Sequence, residues 1–272
     1  LVNPKAHNSR YPYPELTGVG IAFKLAQALY EDLGQDLPTD LMELVALGTV
    51  ADVGPLTGEN RYLVKEGIER INASANPGIR ALASVAGYEM GTLSSSSLSF
   101  GLIPRLNAAG RLGHAGISLD LLTSTDANRA TAIASELEIQ NRRRQSLTES
   151  GVAQAEAQIQ RQHPSGVPSL IVVGHASWEP GILGLIASRI NDSYYRPAIA
   201  VQIGPEVSRA SARSIPEFDI ISAMESCGPL FTKYGGHARA AGFTIPTERM
   251  RELVAKLREL ADVDIQGAQL QP

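Results

Sequence analysis

The sequence has very little cysteine, with Cys227 as the one thiol among 272 residues. A single thiol excludes an intramolecular disulfide framework and every zinc or iron–sulfur site that needs several cysteines. The five histidines lie far apart, without a metal-ligand spacing such as HxxxH. This composition is typical of a reducing compartment, so we expect a cytoplasmic location.

Long apolar runs and a strong net charge are missing as well. No stretch approaches the roughly 20 apolar residues of a membrane span, and the first ten residues contain no hydrophobic signal region, so we expect no membrane partner. Lys and Arg total 24 against 28 Asp and Glu, a net charge of -4. Any nucleic-acid contact must therefore use a local groove. The length and the 43% of hydrophobic residues indicate a globular protein of about two domains.

The apolar periodicity predicts helices first and a mixture of strands and helices later. Thr17 is a candidate N-cap of the first helix, and Gly34 is its stop. Residues 118–163 are strongly helical and longer than a typical globular helix, with Asp126 as a plausible N-cap. Strand and helix patterns alternate after residue 163, which indicates an α/β or α+β domain.

Three segments carry predictions on which the site geometry depends. The segment from Val45 to Val53 is apolar, rich in small and β-branched residues, and favours a buried parallel strand or a helix that runs into one. Residues 207–215 predict a strand. Residues 218–235 predict a helix, and the following GGHARAAGFTIP predicts a loop that enters a strand.

Asp52 is the one carboxylate in the apolar run ALGTVADVGPL. A buried carboxylate costs several kcal/mol unless it is hydrogen-bonded, paired with a cation or bound to a metal. At the carboxyl end of a strand it would lie where open α/β sheets place their chemistry. The structural alternative is an aspartate that caps the following turn, and the sequence leaves both readings open.

Two further segments favour an anion site. PRLNAAGRLGH combines Arg105, Asn107 and Arg111 with no acidic residue. A planar guanidinium group can donate two parallel hydrogen bonds to two oxygens of a phosphate or a carboxylate. The alternative is a solvated loop that forms ion pairs elsewhere. In SARSIP, Ser211 and Arg213 are two residues apart, so on a strand they point to the same side, as they also would on a merely exposed strand.

The segment YGGHARAAG gives the sharpest signal of this kind. Gly235 and Gly236 precede His237, and small residues follow it. Glycines allow a turn that presents backbone N–H groups and an imidazole to an anion. A buried, hydrogen-bonded histidine on a turn is the alternative. Trp178, near a glycine-rich turn, is equally consistent with base stacking and with a place in the core.

Several segments together resemble the RecJ branch of the DHH/DHHA1 phosphoesterases, in the same order and over nearly the whole chain. They are GTVADVGPLTGENR, FGLIPRLNAAGRLGHA, WEPGILGLIASR, SARSIPEFDI and YGGHARAAGF. The resemblance implies an α/β fold in three parts. These are the C-terminal part of a parallel-sheet DHH domain (residues 1–117), a long connecting helix (118–163) and a smaller, mixed-sheet DHHA1 substrate-binding domain (164–272).

The resemblance also implies a metal-dependent enzyme, a 5′ to 3′ exonuclease specific for single-stranded DNA that acts in DNA repair and recombination. Two Mn²⁺ or Mg²⁺ ions are expected in the full-length protein. Asp52 matches the metal-bridging aspartate of the family and is the implied catalytic residue and metal ligand. The implied substrate-binding residues are Arg105, Asn107, Arg111, Ser211, Arg213, Gly235, Gly236 and His237. Single-stranded DNA is the implied partner, and protein partners stay open.

The sequence departs from the family pattern in two ways. The DxD, the further aspartate and the DHH triplet do not occur in residues 1–272, so we expect a fragment that lacks these motifs and is inactive alone. Glu179 stands where related sequences commonly have histidine. The alternatives are an oligoribonuclease or cyclic-dinucleotide phosphodiesterase of the same superfamily, and a non-catalytic nucleic-acid-binding protein.

Overall fold

The computed structural model describes residues 2–265 and residue 270, and the chain divides into two compact units. Unit 1 comprises Leu1–Asn141 and unit 2 comprises Arg142–Pro272. The division falls inside a long helix, whereas the predicted domain limits lie at residues 117/118 and 163/164. Those limits stay a prediction.

All secondary-structure elements in the described part of unit 1 are helices. They are α1 (Gly18–Asp32), α2 (Leu41–Ala51), α3 (Gly58–Asn72), α4 (Pro77–Val85), a π-helical segment (Ser97–Leu102), α5 (Ile103–Leu112), α6 (Gly116–Leu122) and the first part of α7 (Ala127–Gln162). Thr17 caps α1 by accepting a hydrogen bond from the Gly20 N–H, and Gly34 follows with φ of +63°, as predicted.

The predicted strand from Val45 to Val53 is wrong, because these residues form most of α2 and the turn after it. Helix α2 is enclosed by its neighbours, and Val45, Ala46 and Leu47 are all buried. At Gly67 of α3, an added Cβ would lie 2.5 Å from the Ala46 Cβ, so the two helices are in close contact. A helix that is buried on most sides carries the same continuous apolar run as a buried strand.

Unit 2 contains the rest of α7 and a five-stranded mixed sheet. Its elements are β1 (Ile171–His175), α8 (Pro180–Tyr194), β2 (Ala198–Gln202), β3 (Val207–Arg213), α9 (Ile220–Glu225), β4 (Lys233–His237), β5 (Ala240–Pro246) and α10 (Met250–Ile265). The strand order is β1-β2-β3-β5-β4, with β1 and β2 parallel and the other pairs antiparallel. The mixed sheet and the long helix confirm the predicted α/β fold class.

The two faces of this sheet differ in character. Along β3, Ala210 and Ala212 point into a core that also contains residues of α9 and α10, and we call this side the core face. Arg209, Ser211 and Arg213 alternate with them and point to the opposite side, the polar face. Helix α8 packs over β2 and β3 on the polar face, where its Gly184 lies against Ser211 and Arg213.

Two predicted helix limits need correction. The helix predicted over residues 218–235 ends at Glu225, because Gly228 and Pro229 follow, and Lys233–His237 form the edge strand β4. The long helix begins at Ala127 rather than at residue 118. Asp126 is its N-cap, as predicted, since the Asp126 Oδ1 accepts hydrogen bonds from the N–H groups of the second and third helical residues. None of the described helices has the length and hydropathy that a membrane crossing requires.

A buried carboxylate in α2 makes the stability of unit 1 depend on pH. Glu43 is 6% exposed, and its Oε2 accepts a hydrogen bond of 2.8 Å from the Ser74 Oγ. Burial raises the pKa of Glu43, although the hydrogen bond from Ser74 opposes the shift. The folded state therefore binds this proton more tightly than the unfolded chain does. Protonation of Glu43 therefore stabilises the folded state. This stabilisation is fully present below the pKa that Glu43 has in the unfolded chain, and it is lost as pH rises through the pKa that Glu43 has in the folded state.

We expect Glu43→Gln to become progressively more stable than the parent as pH rises from about 4 to 7. The gain is about 1.4 kcal/mol for each unit by which folding raises the pKa of Glu43. Urea unfolding at several pH values measures the difference between the two proteins. Glu69→Gln, at an exposed position of α3, controls for the loss of one carboxylate. A pH-independent difference for Glu43→Gln would contradict this account.

Candidate nucleic-acid interface

Asp52 lies at the C-terminal end of α2 and is exposed. Its backbone N–H donates to the Gly48 carbonyl over 3.0 Å. The expected place at the end of a strand is wrong, because the preceding residues form a helix. An exposed carboxylate carries no burial penalty, so the side chain needs no partner to be stable there.

The described residues contain no group of three or more Asp, Glu, His or Cys side chains that could hold a metal ion. A two-ion centre needs several ligands that converge on the ions. The side chains that the structure describes therefore do not fit a two-metal centre by themselves. Asp52 has the chemistry and the exposure to contribute one ligand.

The segment with Arg105, Asn107 and Arg111 is the helix α5, and not the solvated loop of the alternative reading. Arg105 Nε lies 2.6 Å from Glu138 Oε2, its Nη1 donates to the Gly101 carbonyl over 2.7 Å, and its side chain is 13% exposed. Asn107 and Arg111 are four residues apart and exposed, so they share one side of the helix. The structure thus separates Arg105, which joins α5 to α7, from two residues on the surface.

Ser211 and Arg213 lie side by side on the polar face, as their spacing predicts. Arg213 Nη1 donates to the Ser211 Oγ over 3.1 Å and to the Ala212 carbonyl over 2.8 Å. Both side chains are half-buried under α8. At Gly184 of α8, an added Cβ would lie 2.8 Å from Arg213 Nη2 and 3.2 Å from Ser211 Oγ. The guanidinium group is therefore held in place, and the glycine makes room for it.

Gly235, Gly236 and His237 belong to β4 rather than to a loop, and all five residues of this strand are exposed. Gly236 has φ of +155°, and a Cβ there would overlap the Ala240 carbonyl oxygen, so only glycine fits. Gly235 differs, because an added Cβ would meet no atom within 4 Å. His237 Nδ1 accepts a hydrogen bond of 3.3 Å from the Arg239 N–H, and since the residue is exposed the predicted buried alternative is wrong.

Strand register brings four of the predicted residues together. Across β3, β5 and β4, Arg213 aligns with Ala240 and His237, which we call the first row. Ser211 aligns with Gly242 and Gly235, which we call the second row. Residues paired across antiparallel strands point to the same side of the sheet. The first and second rows therefore form a continuous surface that carries an arginine, a histidine, a hydroxyl group and bare glycine backbone.

Gly184 is a contact residue that sequence reasoning missed. Its one local signal is the small-residue pattern in PGILGLIAS, which is equally typical of ordinary helix packing. Of the two readings of Trp178, the structure shows the place in the core, with 3% exposure and an Nε1 that donates to Gln154 Oε1 over 2.7 Å. Glu179 Oε1 lies 2.7 Å from Arg143 Nη2 and so connects the start of α8 to α7.

Comparison with known proteins assigns residues 167–262 to the DHHA1 domain family. The chain is similar to the single-stranded-DNA-specific exonuclease RecJ of Bacillus subtilis, with 38% identity over 264 residues, which cover 96% of this chain and 33% of that protein. In fold it is similar to RecJ from Thermus thermophilus in complex with Mn²⁺, with a TM-score of 0.81 and 37% identity. That match covers 93% of this chain and 37% of the solved one.

The Thermus thermophilus RecJ has also been solved in complex with Mg²⁺, and it matches with a TM-score of 0.80 and 36% identity. This match covers 96% of the chain and 39% of the solved chain. The chain thus spans between a third and two fifths of the length of each of these relatives. Both solved relatives hold a divalent cation.

The residue after Asp52 has a strained backbone. Val53 has φ of +53° and is 88% exposed, and its N–H donates to the Val50 carbonyl over 3.2 Å. Glycine is the usual residue in this conformation at the end of a helix. A side chain with a Cβ costs about 1–2 kcal/mol there, and a β-branched residue is a genuine outlier.

We expect Val53→Gly to raise the free energy of unfolding by about 1 kcal/mol, because it removes this strain and little buried surface. Val53→Ala is the matched control, since it shortens the same exposed side chain and keeps a Cβ at positive φ. Urea unfolding measures both variants. The account is contradicted if Val53→Gly is no more stable than Val53→Ala.

Proposed function

Because this chain belongs to the RecJ family of DHHA1-domain proteins, we propose that it is part of a 5′ to 3′ exonuclease for single-stranded DNA. In this proposal unit 2 binds the 5′-phosphate end of the strand on the polar face of its sheet. Unit 1 contributes Asp52 as one ligand of a Mn²⁺ or Mg²⁺ centre. The activity serves DNA repair and recombination in the cytoplasm.

The observation that carries this proposal is the convergence of the first and second rows. A guanidinium group, a hydroxyl group and an imidazole are the donors that bind a phosphate monoester well, and the guanidinium can donate to two oxygens at once. Arg213 is already oriented by its bonds to Ser211 and to the Ala212 carbonyl, so little side-chain entropy is lost on binding. The bare backbone at Gly235 and Gly242, which align with Ser211 in the second row, lets a ligand approach the sheet closely.

Unit 1 is assigned a smaller part in strand binding. Asn107 and Arg111 lie on the exposed side of α5 and suit contacts with sugar and phosphate oxygens. Arg105 acts indirectly, because its ion pair with Glu138 holds α5 against α7. Asp52 supplies a single ligand, so we propose that the isolated chain has negligible nuclease activity and keeps its ability to bind strands.

The proposal is tested by the affinity of the chain for an oligothymidylate with and without a 5′-phosphate, measured by fluorescence anisotropy. We expect the phosphorylated strand to bind more tightly. Arg213→Ala is expected to reduce its affinity about 10-fold to 100-fold, since hydrogen bonds to charged groups contribute roughly 1.5–3 kcal/mol. Affinity for the unphosphorylated strand should change much less. Arg251→Ala, at an exposed position on α10, is the matched control.

Gly184→Ala tests the same phosphate site in a second, independent way. The added methyl group displaces the Arg213 guanidinium from above, while alanine favours the helix by up to about 1 kcal/mol. We expect weaker binding of the 5′-phosphate without a loss of stability. Equal preference for the phosphorylated strand in the parent, Arg213→Ala and Gly184→Ala would show that the phosphate site lies elsewhere.

A further inference from the structure

The polar face extends past the second row into a cavity of about 440 Å³. Its floor is formed by β3, β5 and β4, and one wall is the first turn of α8, with Pro180 and Leu183. The floor is low at Gly235 and Gly242, because neither glycine has a side chain to fill the space. Ser211 and these two glycines, which form the second row, all line the cavity, so it is continuous with the proposed site of the terminal phosphate.

Strand register places a third row across this cavity. Arg209 of β3 and Lys233 of β4 both align with Thr244 of β5, so the three side chains point to the polar face. The third row lies two residues along each strand from the second row, a distance of roughly 6.6 Å. Arginine and lysine side chains are long enough to cross this separation. The third row can therefore reach a group that is bonded to a phosphate in the first two rows.

The charges of the third row favour an anion. Arg209 and Lys233 are exposed, and within the described part of the chain neither side chain forms a hydrogen bond or an ion pair. Among the described residues that line the cavity, none is acidic. A nucleobase is uncharged and needs no pair of cations, so a further anion complements this row better.

The reaction limits where this anion can lie along the strand. In a 5′ to 3′ exonuclease the first backbone phosphate, on the 3′ side of the terminal nucleotide, is the one that is hydrolysed. The proposed function gives that step to the divalent-cation centre to which Asp52 contributes, so this phosphate does not occupy the third row. An anion next to the terminal phosphate must then lie on its 5′ side. A strand carries an anion there when its 5′ end is a diphosphate or a triphosphate.

We propose that the third row binds the outer phosphates of a strand that ends in a 5′-triphosphate. The α-phosphate, which is bonded to the 5′ oxygen, occupies the first and second rows. The β- and γ-phosphates extend into the cavity, where Arg209, Lys233 and the Thr244 hydroxyl group donate to them. The substrates thus include triphosphorylated as well as monophosphorylated strands. This inference rests on the proposed function, because it takes the first two rows as the site of the terminal phosphate.

The test compares two oligothymidylates of equal length, one with a 5′-monophosphate and one with a 5′-triphosphate, by fluorescence anisotropy in buffer with EDTA. We expect the parent chain to bind the triphosphorylated strand about 10-fold to 100-fold more tightly, because the outer phosphates add hydrogen bonds between charged groups. Arg209→Ala/Lys233→Ala should remove this difference. Its affinity for the monophosphorylated strand should change much less.

Two matched variants separate the local arrangement of charge from other effects. Arg251→Ala/Lys256→Ala removes two exposed cations of α10, which packs on the core face, and should keep the full preference for the triphosphate. Arg209→Lys/Lys233→Arg keeps both charges in the third row and should retain most of that preference.

The outcomes distinguish this inference from the function on which it rests. If the parent prefers a 5′-monophosphate to a 5′-hydroxyl group but binds the two phosphorylated strands equally, the site for the outer phosphates alone is overturned. It is also overturned if Arg209→Ala/Lys233→Ala weakens both strands by the same factor, since the third row then contacts a part that the two strands share. If the parent shows no preference for a 5′-phosphate over a 5′-hydroxyl group, the proposed function fails and this inference fails with it.

Discussion

The pairing register of β3 with β5 and of β5 with β4 is the constraint on which the candidate interface depends. Side chains alternate across a pleated strand, so a slip of one residue would move every side chain to the other face. In the observed register, Ala212 and Phe243 enter the core beneath α9 and α10, while Ser211 and Arg213 reach the polar face. Burial of a large apolar side chain contributes roughly 1.5–3 kcal/mol, so the core fixes the register and the register aligns the three rows.

Two glycines adapt this surface to a ligand in different ways. Gly184 brings α8 close enough to cover Arg213, so the guanidinium group has one defined position before any ligand arrives. Gly236 permits a backbone conformation that no other residue accepts without strain, and so it shapes the edge strand β4. Rigid placement of donors lowers the entropy cost of binding, and bare backbone lowers the steric cost.

Much of the fold follows from local signals, and the errors have definite physical causes. Thr17 and Asp126 were correct caps because an N-cap depends on one side chain and the next three residues. The segment from Val45 to Val53 predicts a strand, or a helix that runs into one, because burial on most sides removes the helical periodicity of α2. Strand β4, with the sequence KYGGH, was missed because it has no apolar alternation and depends on its pairing with β5.

The difference between local signals and tertiary packing also decides which parts of the candidate interface are predictable from sequence. The spacing of Ser211 and Arg213 predicts that both side chains point to one side of a strand. The structure confirms this prediction, because alternation along a strand depends only on local sequence. The rows across strands, including the third row of Arg209, Thr244 and Lys233, have no local signal, since register is decided by tertiary packing. Asp52 is exposed, and only its expected place at the end of a strand is wrong, because the preceding residues form α2.

The central claim is that the polar face of the sheet, and not the core face, binds the strand. The most direct measurement is the change in backbone amide NMR signals of the ¹⁵N-labelled chain on titration with a 5′-phosphorylated oligothymidylate. The account predicts shifts at Ser211, Gly235 and Gly242, with the signals of α10 unchanged. Shifts confined to α9 and α10, or no shifts at all, would contradict it.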